Sequence, residues 1–324
     1  MHATASATAL AVRNVLVATD FSPCSQRALL HAVTVAHRLG STLHLVHVVQ
    51  PAVFCLVPPE GYAGSVEAAN HAVDLARADA ETLIGNVLHR THCEDLKHHV
   101  WVQLGAASAA LHAIIQREHI DLVVVGTHGR TGLRKLVLGS VAEEIFRQAP
   151  CPVLTVGPHC WQSDPQTIRL KHILFPTNLS VDAARALPFA IAIAAEFNAA
   201  LTILNVIETV GTEEPHDRPR IVAALQERMR EMVCTTAPMP PQTDFQVEFG
   251  DIVECVIETV AHLEATLIVS GLKPPGSYAD SLPWVHAYKV VCNVGCPVLT
   301  LRGPRYHSHH PAGSLVTKKS DELG

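Results

Sequence analysis

The sequence predicts two tandem α/β domains, each a five-stranded, doubly wound parallel sheet with helices on both faces. Three observations carry this. The chain repeats itself once, its candidate strands are apolar without alternation, and stretches of helical spacing separate them. Strands apolar on both sides need cover on both faces, which a parallel sheet between helices provides. Right-handed crossovers then give a doubly wound sheet.

The repeat is legible by self-comparison. Asn14-Val-Leu-Val-Ala-Thr-Asp-Phe-Ser22 recurs as His172-Ile-Leu-Phe-Pro-Thr-Asn-Leu-Ser180, and Leu43–Val48 recurs as Leu201–Val206, both at an offset of 158. Cys151-Pro-Val-Leu-Thr155 recurs as Cys296-Pro-Val-Leu-Thr300 at an offset of 145, so about 13 residues are lost between the second and third strands. At 324 residues, two domains of about 150 are the ordinary expectation.

The elements of the first copy follow from periodicity and length. Val15–Ala18 reads as a buried strand. Ser25–Leu39 carries Ala28, Leu29, Ala32, Val33 and Ala36 at helical spacing, and Gly40 stops it. Leu43–Val49 is the second strand, Val66–Leu88 a long helix and Val100–Leu104 the third strand. Ala106–Arg117 is a helix, Leu122–Val125 a fourth strand, Ser140–Gln148 a short helix and Pro152–Val156 the last strand. The boundaries expected are a leader at 1–12, domains at 13–157 and 171–302, a linker at 158–170 and a disordered tail at 303–324.

Composition narrows the function classes. With 48% apolar and 17% charged residues, each half can bury a core. The net charge of −6 and pI near 6.4 give no overall attraction to nucleic acid or an anionic membrane. Nine scattered cysteines with no CxxC pair read as reduced thiols. No basic, apolar leader and no run of about 20 apolar residues is present, so a cytoplasmic protein is expected.

Ligands of open parallel sheets bind beyond the carboxyl ends of the strands. Here the first strand ends in Thr19-Asp20. The fourth runs into Gly126-Thr-His-Gly129-Arg-Thr-Gly132-Leu-Arg-Lys-Leu-Val-Leu-Gly139-Ser140. Gly126 and Gly129 allow positive φ and close backbone approach. Successive N–H groups in such a loop form an anion nest, and the helix opening at Gly139-Ser140 adds its dipole. Ser140 caps that helix or offers its hydroxyl to a phosphate. Arg130, Arg134 and Lys135 supply cations, and Asp20 could accept ribose hydroxyls. His128 is equally compatible with a phosphate contact and with solvent. Neither GxxxxGK[ST] nor GxGxxG occurs, which disfavours a P-loop NTPase and a Rossmann dehydrogenase.

The spacing G-x2-G-x9-G-S over 126–140, the VATDFS start at 17–22 and the APCPVLTV end at 149–156 resemble the universal stress protein family. The resemblance covers nearly all of 13–157 and, more weakly, 171–302. It implies an adenine nucleotide alpha hydrolase-like fold that dimerises through its last strand, and a site for ATP, with or without Mg²⁺. It places Asp20 at the ribose or adenine, the backbone of Val48 at the adenine, and Gly126, Gly129, Gly139 and Ser140 around the ribose and phosphates, with N–H groups from Val141 and Ala142. The second copy departs from this pattern. Gly271 matches Gly126, but Pro274 stands for Gly129, Trp284 for Gly139, Val285 for Ser140 and Asn178 for Asp20. Proline removes a donor, and Trp284 fills space the phosphates need. Only the first domain is therefore expected to hold nucleotide, the second serving as its internal dimer partner. A further homodimer and the protein partner are left open.

Other candidates are weaker. His92, Cys93, His98 and His99, then His307, His309 and His310, are the densest histidine groups, but alternation sends His98 and His99 to opposite faces, and no metal site is expected. Pro297 argues against one helix carrying both Cys292 and Cys296. Cys24 starts a helix, which favours either a redox-active thiol or a structural one. No catalytic set stands out. The leading reading is a nucleotide-binding regulatory or stress-protective protein. Its rivals are a slow ATPase or phosphotransferase and an interaction module without nucleotide.

Overall fold

The computed structural model describes residues 12–49, 62–127, 139–160, 170–209, 217–235, 239–272 and 281–302. The first half runs β1 (Asn14–Thr19), α1 (Pro23–Leu39), β2 (Thr42–Val49), α2 (Tyr62–Thr91), β3 (His98–Leu104), α3 (Ala107–Arg117), β4 (Leu122–Gly126), α4 (Ser140–Gln148) and β5 (Val153–Val156). The second runs β6 (His172–Pro176), α5 (Val181–Phe197), β7 (Ala200–Ile207), α6 (Arg218–Cys234), β8 (Thr243–Phe249), α7 (Ile252–His262), β9 (Leu267–Leu272), α8 (Ser281–Asn293) and β10 (Val298–Arg302). Among the described residues no helix is long and apolar enough to cross a membrane.

The strands form one sheet in the order β3-β2-β1-β4-β5-β10-β9-β6-β7-β8. Each half is parallel throughout and reverses direction of growth at its first strand, β1 or β6, as a doubly wound sheet does. The register bears out both offsets. Asn14 faces Thr42 as His172 faces Ala200, and Val123 faces Val153 as Ile268 faces Val298. The missing residues fall in one element: α2 has 30 residues and α6 has 17.

The halves meet through β5 and β10, which pair antiparallel: Val153 with Thr300, Leu154 with Leu299, Thr155 with Val298. The 145 offset maps these three pairs onto themselves. A pseudo-twofold axis therefore passes through Leu154 and Leu299, as in an isologous dimer interface.

Alternation along the strands feeds two cores. Val15 and Val17 of β1 belong to a core shared with α1, α2 and, across the interface, α5, while Leu16 belongs to a second core that includes α3 and α4. Helix α1 begins where Ser22 accepts a hydrogen bond from the Ser25 N–H, with Pro23 at its first position, two residues before the sequence pattern starts it. It ends at Gly40 with φ 65°; the matching Asn198, φ 50°, ends α5, asparagine being the other residue that tolerates this left-handed cap. At the edges of the first half, Val12 is buried, and so is Cys160, whose Sγ accepts from the Gly157 N–H at 3.2 Å. Residues 1–11 of the expected leader, 161–169 of the expected linker and the tail lie outside the described residues.

Candidate functional site

The site is framed by the carboxyl ends of β1, β2 and β4. After Thr19 the chain makes a tight turn: the Asp20 Oδ1 accepts from the Ser22 N–H (3.0 Å), Thr19 Oγ1 accepts from the Phe21 N–H (3.1 Å), and Phe21 is left-handed with φ 64°. This is an Asx-turn feeding an N-cap. His47 on β2 closes it from behind. Its Nδ1 lies 2.7 Å from the Thr19 carbonyl oxygen and so carries the proton, and its ring packs on Phe21 at 4.5 Å between centroids. Val48, half-buried, pairs with Gln103 of β3, while β1 pairs with β2 no further than His47. The β1-side edge of Val48 thus lies past the end of β1.

Beyond β4, Thr127 is fully buried, and its carbonyl accepts from the Gly139 N–H at 2.7 Å. The glycine loop leaves and returns through this neck. His128, Gly129, Arg130, Arg134 and Lys135 lie outside the described residues.

Two expectations need correction. Ser140 is not the cap of α4. Gly139 holds that position (φ −60°, ψ 148°) without a side-chain cap bond, and Ser140 is the first helical residue, exposed. The Ser140, Val141 and Ala142 N–H groups open the helix with no intrahelical acceptor available to them; the Glu143 N–H is the first to bond back, to Gly139 O at 2.8 Å. Gly126, in turn, is not left-handed but an extended strand residue. Its hydrogen in place of a side chain is required by packing: a Cβ there would stand 2.8 Å from the Cys24 carbonyl carbon and 2.9 Å from its oxygen. Gly126 lets α1 press its first turn against β4.

Three groups went unnoticed in the sequence. Thr127 and His47 fix the neck and the turn, and no motif marks them. Glu143 sits in the first turn of α4, paired with Arg147 at 3.4 Å, where it takes up part of the dipole that would favour an anion. An acid three residues into a predicted helix was a visible signal.

The second half keeps the turn and changes the helix. Asn178 Oδ1 accepts from the Ser180 N–H (3.1 Å), Thr177 Oγ1 accepts from Leu179 (3.0 Å), Leu179 has φ 58°, and Asn205 Nδ2 donates to Thr177 O (2.8 Å) where His47 serves in the first half. Gly271 repeats the packing of Gly126, its Cβ position lying 2.6 Å from Asp182 O. Helix α8, however, starts at Ser281, four residues before the position matching Ser140. Trp284 and Val285 lie inside it. From position 285 onward the N–H groups have intrahelical acceptors, so the matching donors are spent. Pro274 lies outside the described residues.

A profile of the universal stress protein family matches residues 11–157 and again 169–302. The chain belongs to the universal stress protein family. Curated relatives each align with one half. A universal stress protein of Methanocaldococcus jannaschii is 29% identical over 144 residues, 44% of this chain and 81% of its own length. Universal stress protein A homolog 1 of Coxiella burnetii is 32% identical over 146 residues, 44% of this chain and 95% of its own. The fold extends over both halves. The crystal structure of a universal stress protein from Archaeoglobus fulgidus covers 89% of this chain and 98% of its own, with a TM-score of 0.61 at 16% identity. A protein of unknown function from Pseudomonas aeruginosa covers 90% of this chain and 93% of its own, with a TM-score of 0.57 at 20% identity.

No cluster of metal-ligating side chains occurs among the described residues. His98 and His99 are both exposed, His99 facing His44 and Trp101 while the Nδ1 of His98 donates to the Leu96 carbonyl. His307, His309 and His310 lie outside the described residues. Helix α8 ends at Asn293, so Cys296 is not on it with Cys292. Cys24 is buried, which favours the structural thiol, and its Sγ accepts from Arg27 Nη2 at 3.0 Å.

Proposed function

We propose that this chain is an adenine-nucleotide-binding regulatory or stress-protective protein whose first half alone holds ATP, with or without Mg²⁺. In this reading the Ser140, Val141 and Ala142 N–H groups receive the phosphates. Gly129 and Gly139 let them approach, and His128 and Arg130 flank them. The free edge of Val48 takes the adenine, and Asp20 the ribose. The observation that carries it is the helix start. In the first half a side-chain-free N-cap opens α4 at the neck of the glycine loop; in the second the corresponding N–H groups lie within α8. The second half then acts as a permanent partner, fixing the first through β5 and β10. ATP is a ligand here, and it shifts a conformation or an assembly only by binding its states unequally. The eight free thiols among the described residues support a cytoplasmic setting.

The test is the nucleotide content of the purified full chain, released by denaturation and identified by mass, followed by titration with ATP, ADP and AMP. One equivalent per chain is expected, with binding lost in Gly129→Pro. Two equivalents would refute the one-site reading. No nucleotide and no ATP-dependent rise in melting temperature would leave the interaction-module reading. Mg²⁺-dependent turnover of ATP would favour the enzyme.

A further inference from the structure

A cavity of about 60 Å³ lies between the halves, at the opposite end of the strands from the glycine loop: it takes in Val12 before β1, Leu122 at the start of β4 and Pro152 before β5. It straddles the pseudo-twofold axis. Leu154 and Leu299 line it together, and so do the matched residues Leu39 and Phe197 from α1 and α5. Among the matched pairs of the lining, one joins a polar to an apolar side chain. His31 of α1 lines the cavity where α5 places Phe189.

His31 is 6% exposed. Burial, and then the nearby Arg27 charge, push its pKa down to about 4, so the ring is neutral at pH 7. The other two polar side chains of the lining are engaged: Thr34 Oγ1 donates to Leu30 O (3.0 Å), and Asp121 Oδ2 accepts from the Arg13 and Asn14 N–H groups (2.7 and 3.0 Å). Among the described residues the His31 ring has no hydrogen-bond partner. A buried polar group left so is costly, and the rest of the wall is too apolar to hold an ordered water well.

We propose that this axial cavity binds a slender, uncharged molecule with an apolar body and one hydroxyl-type group, which pairs with His31. The ligand is uncharged because an apolar wall leaves an ion unsolvated. It is slender because the space has room for about five water-sized groups, a short unbranched chain. A neutral imidazole offers one donor and one acceptor, and a hydroxyl answers either. The site is separate from the nucleotide loop, so it stands whether or not ATP binds.

The test uses the full chain with 1-butanol as probe and butyrate as its charged counterpart. The imidazole resonance of His31, assigned by its disappearance in His31→Phe, should shift saturably with 1-butanol, and butyrate should bind at least tenfold more weakly. By saturation transfer to the butanol methyl group, His31→Phe should raise the dissociation constant at least tenfold. His31→Gln, which keeps a donor and an acceptor, should stay within threefold. The absence of a saturable shift, or equal binding by butyrate, overturns the proposal. So does unchanged affinity in His31→Phe; should that variant fail to melt cooperatively, a tenfold loss in His31→Gln overturns it instead.

Discussion

Thr19-Asp20-Phe21-Ser22 and Thr177-Asn178-Leu179-Ser180 fold into the same turn with the same hydrogen bonds, and Gly126 and Gly271 admit the same close helix. Past β4 and β9 the halves part, one opening a helix on glycine and the other starting it four residues early. The difference separates two kinds of feature. What both halves keep builds the domain; what only the first keeps is where a ligand reading has to stand. By that criterion Gly126 is architecture, and the proposed nucleotide site rests on Gly139.

The comparison can be broken at its shared glycine, where the largest effect is expected. Gly126→Ala and Gly271→Ala each force a Cβ onto backbone at under 3 Å. Each should cost about 3 kcal/mol by chemical denaturation, because backbone cannot move aside as a side chain can. A large loss at one and none at the other would show that the two glycines do different work.

Asp20 sharpens the comparison further. Asp20→Asn installs the residue of the second half. The turn survives, since Asn178 makes it with its own side-chain oxygen, and stability should stay within about 0.5 kcal/mol. ATP affinity, measured by calorimetry, should fall about tenfold if the carboxylate itself receives the ribose. An unchanged affinity would leave Asp20 with the turn alone.

The smallest effect lies at matched helix starts. Asp251 caps α7, accepting from Val253 and Glu254 N–H groups at 2.8 and 3.0 Å, whereas α3 starts on Ala106 with no side-chain cap. The Glu254 N–H first, then the Val253 N–H, hold the Asp251 carboxyl below the ordinary aspartate value. Its stabilisation is therefore present above about pH 4 and is lost as pH falls through the folded value. Asp251→Ala should cost ~1 kcal/mol at pH 7 and less in acid, where the protonated carboxyl keeps only a neutral acceptor, and Ala106→Asp should gain up to about as much. A penalty of the same size in acid as at pH 7 would show that the carboxylate charge contributes nothing to the cap.

Much of this was legible in the chain itself. The strands of the first half, the start of α4 at Ser140 and the internal offsets follow from apolar runs and self-similarity, because burial on both faces of a parallel strand leaves an uninterrupted apolar signature. The site was legible as a place more than as a set of roles. Gly139 and Ser140 were both in view, but which of them caps the helix depends on the backbone angles at 139. That Gly126 serves packing depends on Cys24, about a hundred residues earlier, arriving against it.

The sequence by itself determined that there are two domains of one kind and that one of them has lost its glycine loop, since composition and periodicity are local properties that repetition makes visible. Only the tertiary structure decided that β5 and β10 join the halves about an axis, and that His31 and Phe197 line one cavity neither half has alone. Those features arise where surfaces far apart in the chain meet, and no local pattern records the meeting.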